Sequence, residues 1–259
     1  MKFLSLIMVW ALAFSAHGAE LYVYGPGGPA PAMKAAAAAF EKASGTKVVV
    51  TAGPTPTWIE AARGNADLLY SGSEHMMSDF LVMLGPRLAA DTVRPMYLRP
   101  AAILVRPGNP AGISGLADLL KPGYRVLVVH GAGQVGLWED IAGRDGDITT
   151  LRALRSNIVH YATNTGAAKE RWLTDPKIDA WIVYNIWAIA NPGIADMVPL
   201  EPHYRIYRDC GIVLTEHSRT KPEAQAFTRF LESDEGRAIF ERFGWVRRDA
   251  AASAAKEGH

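Results

Sequence analysis

Short apolar runs alternate with longer segments of helical period along almost the whole chain. Leu21-Tyr22-Val23-Tyr24 reads as a strand, and Met33–Lys42 as the helix after it, with Pro31 near the first turn, where a missing N–H costs little. Lys47–Thr51 is the next strand, and Thr57-Trp58-Ile59-Glu60 has the form of a capping box opening a second helix. Asp67-Leu68-Leu69-Tyr70 ends in Ser71-Gly72-Ser73 and leads into a helix running to about Leu84.

A second set begins near residue 101. Ala101–Val105, Val126–Val129, Ile158–Ala162 and Ala180–Val183 read as strands, Leu116–Leu120 and Gly166–Leu173 as helices. Beyond Pro202 the pattern offers Tyr204–Tyr207 and Gly211–Leu214 as strands. Two helices close the chain. One opens on a capping box at Thr220-Lys221-Pro222-Glu223, the other spans Asp234–Phe243 and stops at Gly244. Such alternation predicts an α/β fold of mainly parallel sheets flanked by helices. Crossings near 97–102 and 200–208 make two lobes joined by a two-strand hinge. The carboxyl ends of strands then face a cleft, the place where open α/β sheets bind ligands.

The ends set the compartment. Lys2 precedes Phe3–Phe14, apolar apart from Ser5, and small residues at Ala16 and Gly18 mark a cleavage site after Gly18. That apolar run is shorter than the roughly 18 residues of a membrane span, so the reading is a secretory signal over 1–18 and a soluble periplasmic chain over 19–259. Cys210 is the one cysteine, which excludes an intrachain disulfide and a thiolate metal cluster. No cysteine follows the cut to carry a lipid anchor. Charge enters by exclusion: 27 Lys and Arg against 26 Asp and Glu leave no footprint for nucleic acid.

Candidate chemistry starts at Gly131-Ala132-Gly133-Gln134-Val135-Gly136, a literal G-x-G-x-x-G after a strand. A dinucleotide site also needs an acid after the second strand, but Thr163-Asn164-Thr165 follow Ile158–Ala162. A dinucleotide-dependent oxidoreductase is therefore the remote alternative. The broader physics survives, because glycine-rich turns at helix starts present bare N–H groups to a small anion. The device recurs at Gly25–Pro29, Ser71-Gly72-Ser73 and Asn164-Thr165-Gly166, split between both predicted lobes. There is no G-x-S-x-G elbow, and Ser71 or Ser73 beside His75 are sequence neighbours that seldom reach triad geometry. The histidines show no metal-ligand spacing. The chain reads as a non-enzyme without cofactor or catalytic metal.

The stretches YVYGPGGPAPAMKAAAAAFEKASG, TAGPTPTWIEAA, ADLLYSGSEHMMSDF, YLRPAAILVRPGNPAGISGLADLLKPG and AQAFTRFLESDEGRAIFERFGW span nearly all of residues 20–247. They resemble ABC-transporter-type periplasmic solute-binding proteins of the molybdate/sulfate-like class (type II). GPGGPAPAMK and SGSEHMM resemble the accessory colonization factor AcfC branch. The resemblance implies that residues 19–99 with 203–259 form lobe 1, that 100–202 form lobe 2, and that the lobes close on a ligand by hinge bending. It maps the ligand loops onto Gly27, Gly28, Ser71 and Ser73 in lobe 1 and Gly133, Gln134 and Val135 in lobe 2. It maps the tyrosine that donates to molybdate onto Tyr184. GPGGPAP replaces the compact Ser-rich first loop of molybdate binders.

Neutral donors alone hold a dehydrated oxyanion, whereas a carboxylate more often recruits an Arg fork. Arg99, at the predicted crossing, is either that fork or a surface arginine. Trp58 and Trp187 either wall the pocket or fill lobe cores, and Asn185 either holds a ligand group or satisfies a helix start. The expected partners are a small anionic ligand, inorganic oxyanion or small carboxylate such as an acidic amino acid, and an inner-membrane ABC permease or receptor, with the protein a monomer. An adhesion or chemosensing partner without transport is the alternative role.

Overall fold

A computed structural model describes residues 19–247, so the signal expected over 1–18 and the tail after 247 lie outside the described residues. The first half of the fold runs β1 (Glu20–Gly25), α1 (Ala30–Ser44), β2 (Lys47–Ala52), α2 (Ile59–Asn65), β3 (Leu68–Tyr70) and α3 (Glu74–Leu84) into a long β4 (Arg94–Val105). The second runs α4 (Leu116–Leu119), β5 (Val126–Val129), α5 (Leu137–Ala142), α6 (Ile148–Asn157), β6 (Ile158–Ala162), α7 (Thr165–Thr174), β7 (Ala180–Tyr184), α8 (Ile186–Ala190) and β8 (Asp196–Pro199). The chain returns through β9 (Tyr207–Leu214) and ends in α9 (Pro222–Glu232) and α10 (Asp234–Arg242).

Among the described residues the strands form one curled sheet in the order β2-β1-β3-β9-β4-β7-β5-β6, with β8 on β4. Two lobes result. Within each, the strands joined by crossover helices are parallel: β1 with β2 and β3, β5 with β6 and β7. The antiparallel pairs belong to β4 and β9, the strands that carry the chain across. Arg94–Pro100 of β4 pair with β9, and Ala101–Val105 pair with β7 and β8. The strands β3, β5 and β7 are buried along their whole length, as expected when helices cover both faces.

Helix α1 shows how the pattern builds a lobe. Ala32, Met33, Ala36, Ala37 and Phe40 recur at helical spacing and are all buried. Phe40 meets Phe227 and Phe230 of α9 at ring distances of 5.2 and 5.5 Å. Gly45 ends the helix at φ 74°, where its N–H reaches Glu41 O. The crossing is braced by the C-terminal segment. Leu98 and Val246 exchange backbone bonds of 2.8 and 2.7 Å, and Tyr97 stacks on Phe240 at 4.5 Å.

Both predicted capping boxes fail. The N-cap of α2 is Trp58, with no side-chain cap, because the Thr57 hydroxyl donates instead to Pro54 O in a 3-10 turn. Lys221, not Thr220, precedes α9 and it too lacks a side-chain cap. The predicted strand Tyr204–Tyr207 is a 3-10 turn over Pro202–Tyr204 followed by the start of β9, which absorbs Gly211–Leu214 into one strand. Helix α6, which the sequence pattern did not suggest, opens at Asp147, whose side chain accepts from Thr149 N as its cap. The short β8 and α8 were not expected.

Candidate functional site

The loops after β1, β3, β5 and β6 converge where the lobes meet, around a cavity of about 220 Å³. Of the residues singled out in the sequence, Gly27, Gly28, Gly72, Arg99, Gly133, Gln134, Asn164 and Thr165 line it. Trp187 and Met76 line it as well, with Gly53 and Pro54 from the loop after β2.

Arg99 is the organising side chain. It rises from β4 just before the crossing and is 4% exposed. Its Nη2 donates to Gly72 O at 2.6 Å, and its Nε has no partner. The guanidinium carbon lies 3.9 Å from the centre of the Tyr184 ring and 5.2 Å from that of Trp245, so two aromatic faces hold the cation. Burial pulls its pKa down, and Tyr184, Cys210 and Asp209 push it back up. A Cβ on Gly28 would stand 2.7 Å from Nη1, and one on Gly72 2.9 Å from Nη2. Those two glycines are therefore the space the guanidinium occupies.

The serines face inward. Ser71 is fully buried, its Oγ accepting from Gly211 N of β9 at 3.2 Å. Ser73 caps α3 by accepting from Met76 N. From the other lobe, Asn164 caps α7 by accepting from Ala167 N at 3.0 Å, and Gln134 Nε2 reaches Thr165 Oγ1 at 2.6 Å, leaving its Oε1 buried and unpartnered. The helix starts of α3 and α7 thus stand on opposite sides of the cavity, an arrangement that suits negative charge.

The lobes touch across this point. A Cβ on Gly133 would lie 3.0 Å from Gly72 O and 3.3 Å from Ser73 Oγ. Tyr184 is buried, and its hydroxyl donates to Gly133 O at 2.9 Å, so here it serves the loop between β5 and α5. Arg208 of β9 bonds Asp140 of α5, also across the lobes. Asn185 does not cap α8; its Nδ2 donates to Gly244 O at 2.7 Å, tying β7 to the C-terminal segment. Its Oδ1 is buried without a partner.

Ser71, Ser73, Tyr184 and Asn185 are not among the residues that line the cavity, and neither are Trp58 and Val135. Trp58 is 2% exposed, packs on Tyr24 and Phe80 and donates from Nε1 to Gly53 O, so it fills the core of its lobe. The Val135 side chain is 49% exposed and faces outward. The glycines of the G-x-G-x-x-G turn serve close chain approach. A Cβ on Gly131 would sit 2.3 Å from Thr163 O, and Gly136 holds φ 72° before a helix of only six residues.

One group beside the site carries a signal the sequence reading passed over. Asp209 of β9 is 5% exposed, and its Oδ2 has no hydrogen-bond partner. Burial pushes its carboxyl up to about 6, and Glu74 at the start of α3 adds to the rise. An acid between Arg208 and the apolar run Cys210–Leu214 was the visible trace. A larger cavity of about 530 Å³ lies elsewhere in lobe 1, around Tyr22, Asp67 and Arg87. Its buried acid, Asp67, is fully engaged by Ser218, Lys221 and Tyr22 N.

A family of bacterial extracellular solute-binding proteins matches residues 21–246. Among solved structures, PEB3 bound to L-phospholactate is 35% identical with a TM-score of 0.83, over 88% of this chain and 100% of that one. Peb3 from Campylobacter jejuni is 34% identical with a TM-score of 0.82 over the same shares. The periplasmic molybdate-binding protein of Azotobacter vinelandii is similar in fold at 19% identity and a TM-score of 0.63, over 87% of this chain and 98% of that one. No curated protein matches the sequence.

Proposed function

Because this chain belongs to the bacterial extracellular solute-binding proteins, we propose that it captures a small organic anion between its lobes and closes on it by hinge bending. The observation that carries this reading is Arg99, a buried cation with an unpartnered Nε in the wall of the inter-lobe cavity. The helix starts at Ser73 and Asn164 supply further donors. The lobes are 19–99 with 203–259 and 100–202, and they flex at Pro100 and through 200–206. The contact of Gly133 with Gly72 and the Arg208–Asp140 pair belong to the closed state.

PEB3 has been solved with L-phospholactate bound, a molecule that joins a phosphate to a carboxylate. Its similarity supports a phosphorylated hydroxy acid as the ligand class here. Such a ligand lets one end meet the Arg99 fork while the other takes N–H donors. The likeness of GPGGPAPAMK and SGSEHMM to the AcfC branch supports reading the chain as a member of it. The protein acts as a periplasmic monomer after loss of 1–18 and hands its ligand to an ABC-type permease.

Thermal melts of the purified, ligand-stripped protein test the reading. The panel is L-phospholactate, phosphate, sulfate, molybdate, aspartate, a dicarboxylate and NAD. A ligand at 100 times its Kd adds about 2.7 kcal/mol, a rise of roughly 5–10 °C for a chain of this size. A shift with L-phospholactate above that with inorganic anions supports the proposal. A shift with NAD alone returns the Gly131–Gly136 turn to a nucleotide. No shift with any anion overturns solute capture in favour of an adhesion or sensing partner.

A further inference from the structure

We propose that the ligand is a phosphorylated acid that keeps a free hydroxyl, and that Gln134 selects it by accepting a hydrogen bond from that hydroxyl. This rests on the anion reading above and narrows its substrate class. Three of the side chains that line the cavity carry a buried polar atom without a partner: Arg99 Nε, Trp187 Nε1 and Gln134 Oε1. The first two are N–H donors, and an anion offers acceptors to both. The third is an acceptor. An ionised phosphate or carboxylate presents only lone pairs to it, so an anion by itself leaves Oε1 unpaired in a closed site. A ligand that matches the whole set brings negative charge and a donor together. An ammonium group would donate too, but it would place a second cation in a space of about 220 Å³ that already has Arg99 in its wall. A hydroxyl donates without that cost.

The Gln134 amide is held too firmly to find a partner within the protein. It is 4% exposed, and its Nε2 donates to Thr165 Oγ1 at 2.6 Å, which pins the side chain between the loop after β5 and the start of α7. The backbone beneath it is fixed as well. Gln134 N donates to Gly131 O at 3.2 Å, and the Tyr184 hydroxyl donates to Gly133 O at 2.9 Å. The other side-chain amide in the lining, Asn164, has its Oδ1 satisfied by Ala167 N at 3.0 Å. Joining two loops uses one end of an amide, and the fold leaves the second end of Gln134 over. Its neighbour Gly133 lies against Gly72 O of the other lobe, so closure carries this amide toward the bound molecule. L-phospholactate lacks the group that Oε1 needs. Its one hydroxyl is esterified, and its phosphate, with a second pKa near 6, is almost fully ionised at pH 7.5.

Titration calorimetry at pH 7.5 on the ligand-stripped protein compares L-phospholactate with each enantiomer of 2-phosphoglycerate, in which a hydroxymethyl group replaces the methyl. Wild type is expected to bind one enantiomer about tenfold more tightly than L-phospholactate, the effect of giving a buried acceptor its donor. For Gln134→Leu the readout is the ratio of those two dissociation constants, because loss of the Thr165 bond weakens every ligand alike. That ratio is expected to fall to about one, and to do so independently in Gln134→Met. A ratio of about one or less in wild type, or a preference that survives in both variants, overturns the role of Gln134 and leaves anion capture standing. Absence of heat with all three phosphorylated acids, and of a melting shift with sulfate or phosphate, overturns the anion reading and this inference with it.

Discussion

Arg99 and Asp209 sit on adjacent strands, and their substitutions move stability in opposite directions. Removing a buried cation alone leaves its polar neighbours unpaired, and here the bond to Gly72 O and the contacts with Tyr184 and Trp245 go with it. Arg99→Met is thus expected to abolish the L-phospholactate melting shift and to lower the ligand-free melting temperature, whereas Asp209→Asn is expected to raise stability. Asp209 is predicted to act on stability through pH. Its folded carboxyl sits near 6, above the ordinary value of 3.8, so the fold holds a proton that the unfolded chain releases. Stability is lost as pH rises from about 4 through 6, and above that the charged form costs about 3 kcal/mol. Without ligand, Asp209→Asn should exceed wild type in urea unfolding by about that amount at pH 7.5, with the gap closing toward pH 4. The glycines and Asn164 of the cleft were legible because βα loops follow from the apolar runs before them. Trp58 was not, since an indole beside Gly53-Pro54 carries the same signal whether it turns into the core or toward a pocket. Asp209 was visible as a charge in a core strand, but that its Oδ2 would be buried without a partner depends on elements that only the fold brings together.

Strongly periodic elements were legible and short ones were not. The buried faces of α1 and α9 repeat at helical spacing. By contrast α8 has five residues and β8 four, too few to establish a period. The capping boxes misled because Thr57 and Thr220 each lie one residue upstream of the true cap, where 3-10 turns or a proline set the entry. The cap that does form before α10 is Ser233, accepting from Gly236 N at 3.2 Å. Ser233→Ala should cost about 1 kcal/mol, and Phe227→Ala, which empties the contact between α1 and α9, about 3–5 kcal/mol. Chemical denaturation read as midpoint at unchanged slope checks both.

At the scale of the molecule, the proposed closure brings backbone against backbone. Gly133 has no room for a side chain against Gly72 O. Gly133→Val is therefore expected to hold the lobes apart, and small-angle scattering should show the ligand-induced compaction of wild type reduced or lost in the variant. An unchanged compaction would show that the cleft shuts elsewhere. Pairing of β4 with β9 on one side of Pro100 and with β7 on the other makes a single strand the shared wall of both lobes. The sequence suggested where the crossings fall, but not that Val246 returns to Leu98 as an additional rung beside them. That rung forms only in three dimensions, and no local pattern near Trp245 announces it.

The order β3-β9-β4 has a temporal consequence. The strand that sits between β3 and β4 is the last one among the described residues. A polypeptide emerging from a translocation channel amino end first has β1, β2 and β3 outside well before β9, and α9 and α10 follow later still. The strands β5, β6 and β7, in contrast, are contiguous and can pair as soon as they appear. Residues that make up the second lobe thus have everything they need first, while the edge of β3 waits open for its partner. The sheet is therefore joined between β3 and β4 only once β9 arrives, and a chain cut before β9 lacks the strand that links them.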